Sequence, residues 1–178
     1  MPHLTTARLL LRRPTLDDID SLFAIYGDPA TNLYNPNGPY PSRLYAAEKM
    51  AAWLKGWDQD GIGQWAVAKL DSPAEVIGFG GLSYMDYNGE LKLNLGYRFA
   101  TAAWGKGYAS ETARAALDCA FERLNAPSIY GKVRPANLAS IHVLEKQGFR
   151  QIAQLRDVED RPPSLVFELT QADYLSRA

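Results

Sequence analysis

The eight residues Trp104-Gly105-Lys106-Gly107-Tyr108-Ala109-Ser110-Glu111 constrain this chain more than any other stretch. An apolar run, Leu93 to Phe99, precedes them and reads as a strand, and a helical pattern, Thr112 to Leu124, follows. Two glycines therefore stand at a strand-to-helix turn. Glycine permits positive φ and lets the backbone come close to a ligand. The first N–H groups of a helix have no internal partner and sit at the positive end of its dipole. Such a turn suits an anion, a phosphate or pyrophosphate above all. A helix-entry loop whose glycines serve only tight packing is the competing reading, and this segment alone leaves both open.

The rest of the chain reads as a succession of short elements. Leu9 to Arg13 is expected to be a strand, and Asp17 to Tyr26 a short helix with Ile19, Leu22, Phe23 and Tyr26 on one face. Gly27 to Pro41, rich in Asn, Pro and Gly, is expected to be a loop. Ser42 is the expected N-cap of a helix to Trp57. Gln64 to Leu70 and Val76 to Leu82 read as strands, and Asn88-Gly89 is a hairpin signal before the alternating Leu91, Leu93 and Leu95. After the glycine turn and its helix come a strand, Ser128 to Arg134, a helix opened by Asn137, and two strands, Arg150 to Asp157 and Leu165 to Leu169. The predicted fold is α+β, a mixed sheet with helices on its faces. Gly78-Phe79-Gly80-Gly81 lies late in a strand and departs from the dinucleotide fingerprint, and no Gly-Lys-Ser/Thr completes a phosphate-binding P-loop.

A second segment narrows the reading. Asn137-Leu138-Ala139-Ser140 opens a helix that Glu145-Lys146-Gln147-Gly148-Phe149 closes. Together the two segments resemble the GNAT superfamily of acyl-coenzyme A-dependent N-acyltransferases, and in particular its branch of ribosomal-protein N-terminal acetyltransferases. That branch reads W-G-K-G-Y-A-(S/T)-E in its pyrophosphate loop and N-x-x-S followed by E-K-x-G-F in the next helix. Leu4-Thr5-Thr6-Ala7-Arg8-Leu9-Leu10-Leu11-Arg12 is similar to the branch's start, L-x-T-x-R-L-x-L-R. The resemblance covers nearly the whole chain in order. It implies a GNAT-like, mostly antiparallel sheet with splayed central strands, and acetyl-CoA as cosubstrate.

The resemblance also implies roles. Main-chain N–H groups of Gly105, Lys106, Gly107, Ala109 and Ser110 would hold the pyrophosphate, with the Ser110 hydroxyl adding a contact or capping the helix. The superfamily pattern (R/Q)-x-x-G-x-(G/A) falls on Trp104, Gly107 and Ala109, with Trp104 there for packing. Tyr97, Arg98 and Phe99 would line the pantetheine arm, mainly through their backbones. Asn137 would face the coenzyme or simply cap its helix, and Lys146 would approach the 3′-phosphate. Ser140 is the candidate catalytic residue, a general acid for the leaving sulfur, against the plain alternative of a first-turn serine bonded to Asn137.

Acyl transfer to an amine needs a neutral nitrogen, hydrogen-bond donors for the developing oxyanion and a shared cleft. It needs no metal, and no cluster with ligand spacing is present in the sequence. Glu90, Asp86, Asp157, Glu159 and Glu168 are candidate general bases that spacing does not separate. The Arg161-Pro162-Pro163 insert departs from the branch where the acceptor pocket is shaped. Tyr34, Tyr40 and Tyr45 either line that pocket or pack their loop. The acceptor is a protein N-terminus or a small-molecule amine.

Length and charge agree. The 178 residues, 47% hydrophobic and 22% charged, suit one N-acetyltransferase domain, 1–178. A formal net charge of −1 gives no basic field for nucleic acid. Cys119, the one cysteine, excludes an intrachain disulfide and is expected to be a small buried hydrophobe rather than an acyl carrier. No run approaches a membrane span, and the first residues lack signal-peptide features. A cytoplasmic monomer or homodimer is expected. Two readings of other classes remain: a catalytically silent acyl-CoA-binding sensor, and a partner-binding domain without a ligand.

Overall fold

The computed structural model describes residues 3–177. Eight strands form one sheet in the order β1-β2-β3-β4-β5-β6-β8-β7. They are β1 (His3–Thr5), β2 (Leu9–Arg12), β3 (Gln64–Lys69), β4 (Ser72–Tyr87), β5 (Glu90–Phe99), β6 (Ser128–Val133), β7 (Arg150–Leu155) and β8 (Ser164–Thr170). The helices are α1 (Ile19–Tyr26), α2 (Arg43–Asp60), α3 (Tyr108–Asp118), α4 (Leu138–Lys146) and α5 (Gln171–Leu175). The β5–β6 pair is parallel, with Asn94 opposite Tyr130, while β1–β2, β2–β3, β3–β4, β6–β8 and β7–β8 are antiparallel.

Residue contacts group the chain into two compact units: Met1–Gly81 with Gly96–Thr112, and Leu82–Leu95 with Ala113–Ala178. In the first, Ile19, Leu22, Ile25 and Tyr26 of α1 pack with Ala46 and Met50 of α2 and with Ala66 and Phe79 of the sheet. Ser42 caps α2 by accepting from Tyr45 N–H at 3.1 Å, as its sequence position predicts. In the second, Leu117, Ile129, Phe167 and Leu169 are buried, and Phe121 stacks on Tyr174 with centroids 4.6 Å apart. Gly148, at φ 95°, ends α4 in the left-handed region, and Phe149 behind it is buried.

Several boundaries differ from the sequence reading. β4 is 16 residues long, where only Val76 to Leu82 was expected. Its outer residues, including Tyr84 and Met85, are exposed, so the pairing extends where no apolar run marks it. Helix α3 begins at Tyr108, four residues before the expected start, because Ser110 and Glu111 interrupt the apolar pattern without interrupting the helix. It then passes into a π-helical turn, Cys119–Arg123. Strand β1 and helix α5 were not anticipated; at three and five residues they are too short to carry a periodicity. The Asn88-Gly89 hairpin is as expected, with φ of 57° and 90° at its two residues.

Candidate functional site

The glycine turn belongs to the first unit. Gly105 and Gly107 have φ of 73° and 82°, a region that disfavours other residues, and a Cβ at Gly105 would meet nothing within 4 Å. The Glu111 N–H closes the first helical bond onto the Gly107 carbonyl at 3.1 Å. Gly107 thus stands at the N-cap position of α3, where glycine brings no side-chain oxygen to the first-turn donors. Ser110 lies inside the first turn and is not the cap. The turn combines two left-handed glycines with the positive end of the α3 dipole. A helix start of this kind suits an anion.

The strand leading into this turn is held closely. Trp104 Nε1 donates to the Phe99 carbonyl at 3.0 Å while the residue stays 49% exposed, so Trp104 fastens the turn to the end of β5. Gly78 and Gly80 of β4 make room: a Cβ at Gly78 would lie 2.3 Å from the Phe99 ring, and one at Gly80 would lie 2.9 Å from Tyr97 Cβ and 3.0 Å from Thr112. The glycine run without a nucleotide fingerprint therefore serves close approach of Tyr97 and Phe99. The Arg98 side chain turns elsewhere. Its Nη1 donates to Asn32 Oδ1 at 2.8 Å and its guanidinium lies 4.4 Å from the Tyr26 ring centroid. The Arg98 side chain is thus committed to Asn32 and Tyr26.

Two residues that sequence reasoning left without a role stand against the turn. Arg8 Nη1 donates to the Lys106 carbonyl at 2.9 Å, its Nε donates to Glu111 Oε2 at 2.7 Å, and its guanidinium lies over the Tyr108 ring. Glu111 also accepts from the Thr6 hydroxyl at 2.5 Å and from Arg8 N–H at 2.8 Å. Burial pushes the Glu111 carboxyl up, but these hydrogen bonds and the Arg8 charge outweigh it and hold its pKa below the ordinary value. The only sequence signal was their presence in the motifs at both ends, 103 residues apart.

The second unit carries Asn137, Ser140 and Lys146. Asn137 caps α4, its Oδ1 accepting from Ser140 N–H at 3.2 Å. Ser140 is half-buried in the first turn, and Lys146 is exposed in the last. The carboxylates expected near the acceptor are largely engaged. Asp157 lies 3.1 Å from Lys132 Nζ and 3.4 Å from Arg134 Nη1 and accepts from the Ser164 hydroxyl at 2.9 Å. Burial raises its pKa, but the bonds from Lys132 and Ser164 win and lower it, which makes Asp157 a poor proton acceptor. Asp86 accepts from Gly89 N–H in the hairpin, Glu90 pairs with Lys92, and Glu168 is hydrogen-bonded to Tyr130. Arg134 also donates to the Pro162 carbonyl, which latches the Arg-Pro-Pro insert. Burial pushes the Cys119 thiol up, against service as a nucleophile. In the first unit, Tyr40 packs on Tyr26 and Tyr45 at centroid distances of 5.2 and 4.8 Å, with its own hydroxyl pushed up to about 12 by burial. Tyr45 lies in the first turn of α2 rather than in the loop, and Tyr34 stays exposed.

Residues 8–150 match the family described as the acetyltransferase (GNAT) domain. The chain belongs to the GNAT acetyltransferases. A Bacillus licheniformis protein, named as the uncharacterized N-acetyltransferase p20, is 31% identical over 98% of this chain and 99% of its own. Among solved structures, the spermidine N-acetyltransferase of Vibrio cholerae, crystallised with CoA and spermine, overlays with a TM-score of 0.78 at 22% identity, covering 96% of this chain and 99% of that one. A Vibrio cholerae protein provisionally described as a ribosomal-protein-serine acetyltransferase overlays at 0.73 and 19% identity, over 94% and 97%. At these identities the two structures speak for the fold. The ribosomal-protein branch is thus one of several neighbours of this GNAT protein. Among the described residues, no helix is long and apolar enough to cross a membrane.

Proposed function

We propose that this GNAT protein transfers the acetyl group of acetyl-CoA to a primary amine by direct attack in a ternary complex, the whole chain acting as one N-acetyltransferase domain. One observation carries the reading. A strand-to-helix turn with two positive-φ glycines places Gly107 at the N-cap position of α3, where glycine brings no capping side chain of its own. Acetyl-CoA supplies an acyl carbon activated as a thioester. Gly105 to Ser110 hold its diphosphate through main-chain donors, and the backbone of Tyr97 to Phe99 receives the pantetheine arm. Ser140 serves as proton donor to the departing sulfur, with Asn137 orienting the first turn that carries it. No strong base is required when the acceptor is an α-amine, whose pKa near 8 leaves a fraction neutral at pH 7. The acceptor is a protein N-terminus or a small amine. The reading places the protein in the cytoplasm, where such a cosubstrate and acceptor meet.

The test is a release assay for free thiol with acetyl-CoA and a panel of peptides, polyamines and other small amines. Thiol release with at least one amine is the expected result. Calorimetric binding of coenzyme A without release across the panel would favour a silent sensor. No thermal stabilisation by coenzyme A would remove the ligand site altogether, since a ligand of the native state must raise apparent stability.

A further inference from the structure

Arg8 lies outside the glycine turn, yet it bonds that turn at both ends. Its Nη1 reaches the Lys106 carbonyl at 2.9 Å, and its Nε reaches Glu111, one helical turn later, at 2.7 Å. The Lys106–Gly107 peptide is planar and trans, so its carbonyl and its N–H point in opposite directions. A donor that fixes the Lys106 carbonyl toward Arg8 therefore also fixes the Gly107 N–H away from Arg8. A glycine with φ of 82° has little torsional preference of its own, so this orientation needs an outside hold. Glu111 raises a second issue. It places a carboxylate in the first turn of α3, beside the donors that face an anion. Left uncovered, that charge would repel a diphosphate. Arg8 neutralises it, with the Thr6 hydroxyl and the Arg8 N–H satisfying its other lone pairs.

We propose that Arg8 is a positioning residue for the diphosphate of the acyl-coenzyme A ligand, turning the Gly107 N–H outward and cancelling the Glu111 charge at the mouth of the cradle. The proposal rests on the function given above. Arg8 acts through Lys106 and Glu111 and need not touch the ligand.

The experiment compares the unmodified chain with Arg8→Met, Arg8→Lys, Glu111→Gln and the double variant Arg8→Met/Glu111→Gln. Binding of coenzyme A is measured by calorimetry, and KM and kcat are measured with acetyl-CoA and with acetyl-pantetheine, which lacks the diphosphate. Arg8→Met is expected to weaken coenzyme A binding about tenfold or more, the scale of a lost charge-assisted hydrogen bond. KM for acetyl-CoA should rise in proportion, with kcat at saturation within about threefold. KM for acetyl-pantetheine should stay unchanged. The double variant should recover part of the affinity, because the uncovered charge is gone, and Arg8→Lys should fall between. Added salt should restore affinity to Arg8→Met by screening the exposed Glu111. Unchanged coenzyme A affinity in Arg8→Met, with only a lower melting temperature, would reduce Arg8 to a structural tie. Equal losses with acetyl-pantetheine would also overturn the proposal. Failure of the unmodified chain to bind coenzyme A would sink the functional reading first, and this inference with it, and is thus told apart from the two failures specific to Arg8.

Discussion

Helices α3 and α4 begin in opposite ways. Helix α4 is capped by its own chain: Asn137 Oδ1 takes the Ser140 N–H at 3.2 Å, which satisfies one of the donors that a helix start leaves over. Helix α3 has Gly107 at the corresponding place, with no side chain to do the same. Around it the side chains take other partners: Arg8 takes the Lys106 carbonyl, and Glu111 turns to Arg8 and Thr6. A capped helix start is finished as a piece of structure. A start whose N-cap is glycine supplies no side-chain acceptor of its own, and the proposed function gives its main-chain donors to an anion. The difference teaches where to look for the ligand. Two segments that both resemble family motifs at the sequence level start their helices with different residues at the N-cap, Gly107 and Asn137.

The strongest way to break this comparison is to fill the α3 start. Gly107→Glu adds a side chain at φ 82° and a negative charge beside the donors. Coenzyme A affinity should fall by about 100-fold or more by like-charge repulsion and steric block. Calorimetry on a variant whose circular dichroism melt is still cooperative would check it, and wild-type affinity would remove the cradle. Next in size is Ser140→Ala at the α4 start. If Ser140 donates the proton, kcat should drop about 100-fold, the lower end for general acid catalysis, with coenzyme A affinity unchanged. Full turnover would leave α4 a helix with a structural cap and nothing more.

A smaller effect sharpens the contrast. Asn137→Ala removes the α4 cap and should cost about 1 kcal/mol of stability in urea unfolding, the usual value of such a cap. The smallest effect is a pH dependence at the α3 start. Glu111 has a folded pKa held below its unfolded value, so its stabilisation is present above about pH 4.3 and is lost as pH falls through the folded pKa. The stability difference between the unmodified chain and Glu111→Gln should be constant near neutrality and shrink below that pH. A difference that stayed constant down to pH 3 would mean that Glu111 is not held as an ionised partner of Arg8.

Much of this was legible in the residues themselves. The turn glycines, the N-caps Ser42 and Asn137, the Asn88-Gly89 hairpin and the left-handed Gly148 are local devices, fixed by the φ range and hydrogen-bonding reach of a few neighbours. The ends of β4, the short β1 and α5 and the early start of α3 were not legible, because pairing partners rather than periodicity decide them. Candidate bases were undecidable for a similar reason. Asp157 reads as an open carboxylate until Lys132, Arg134 and Ser164 are seen around it.

The sequence by itself determined that a glycine turn would join a strand to a helix and that a second helix would open on Asn137, since both follow from chain-local sterics and hydrogen bonding. Only the tertiary structure decided that Arg8 reaches across to the Lys106 carbonyl and Glu111, that Gly78 and Gly80 exist to admit Phe99 and Tyr97, and that the Arg98 side chain belongs to Asn32 and Tyr26. Contacts between residues dozens of positions apart depend on strand order and register. Those are set by the packing of the whole chain and leave no mark on any one segment.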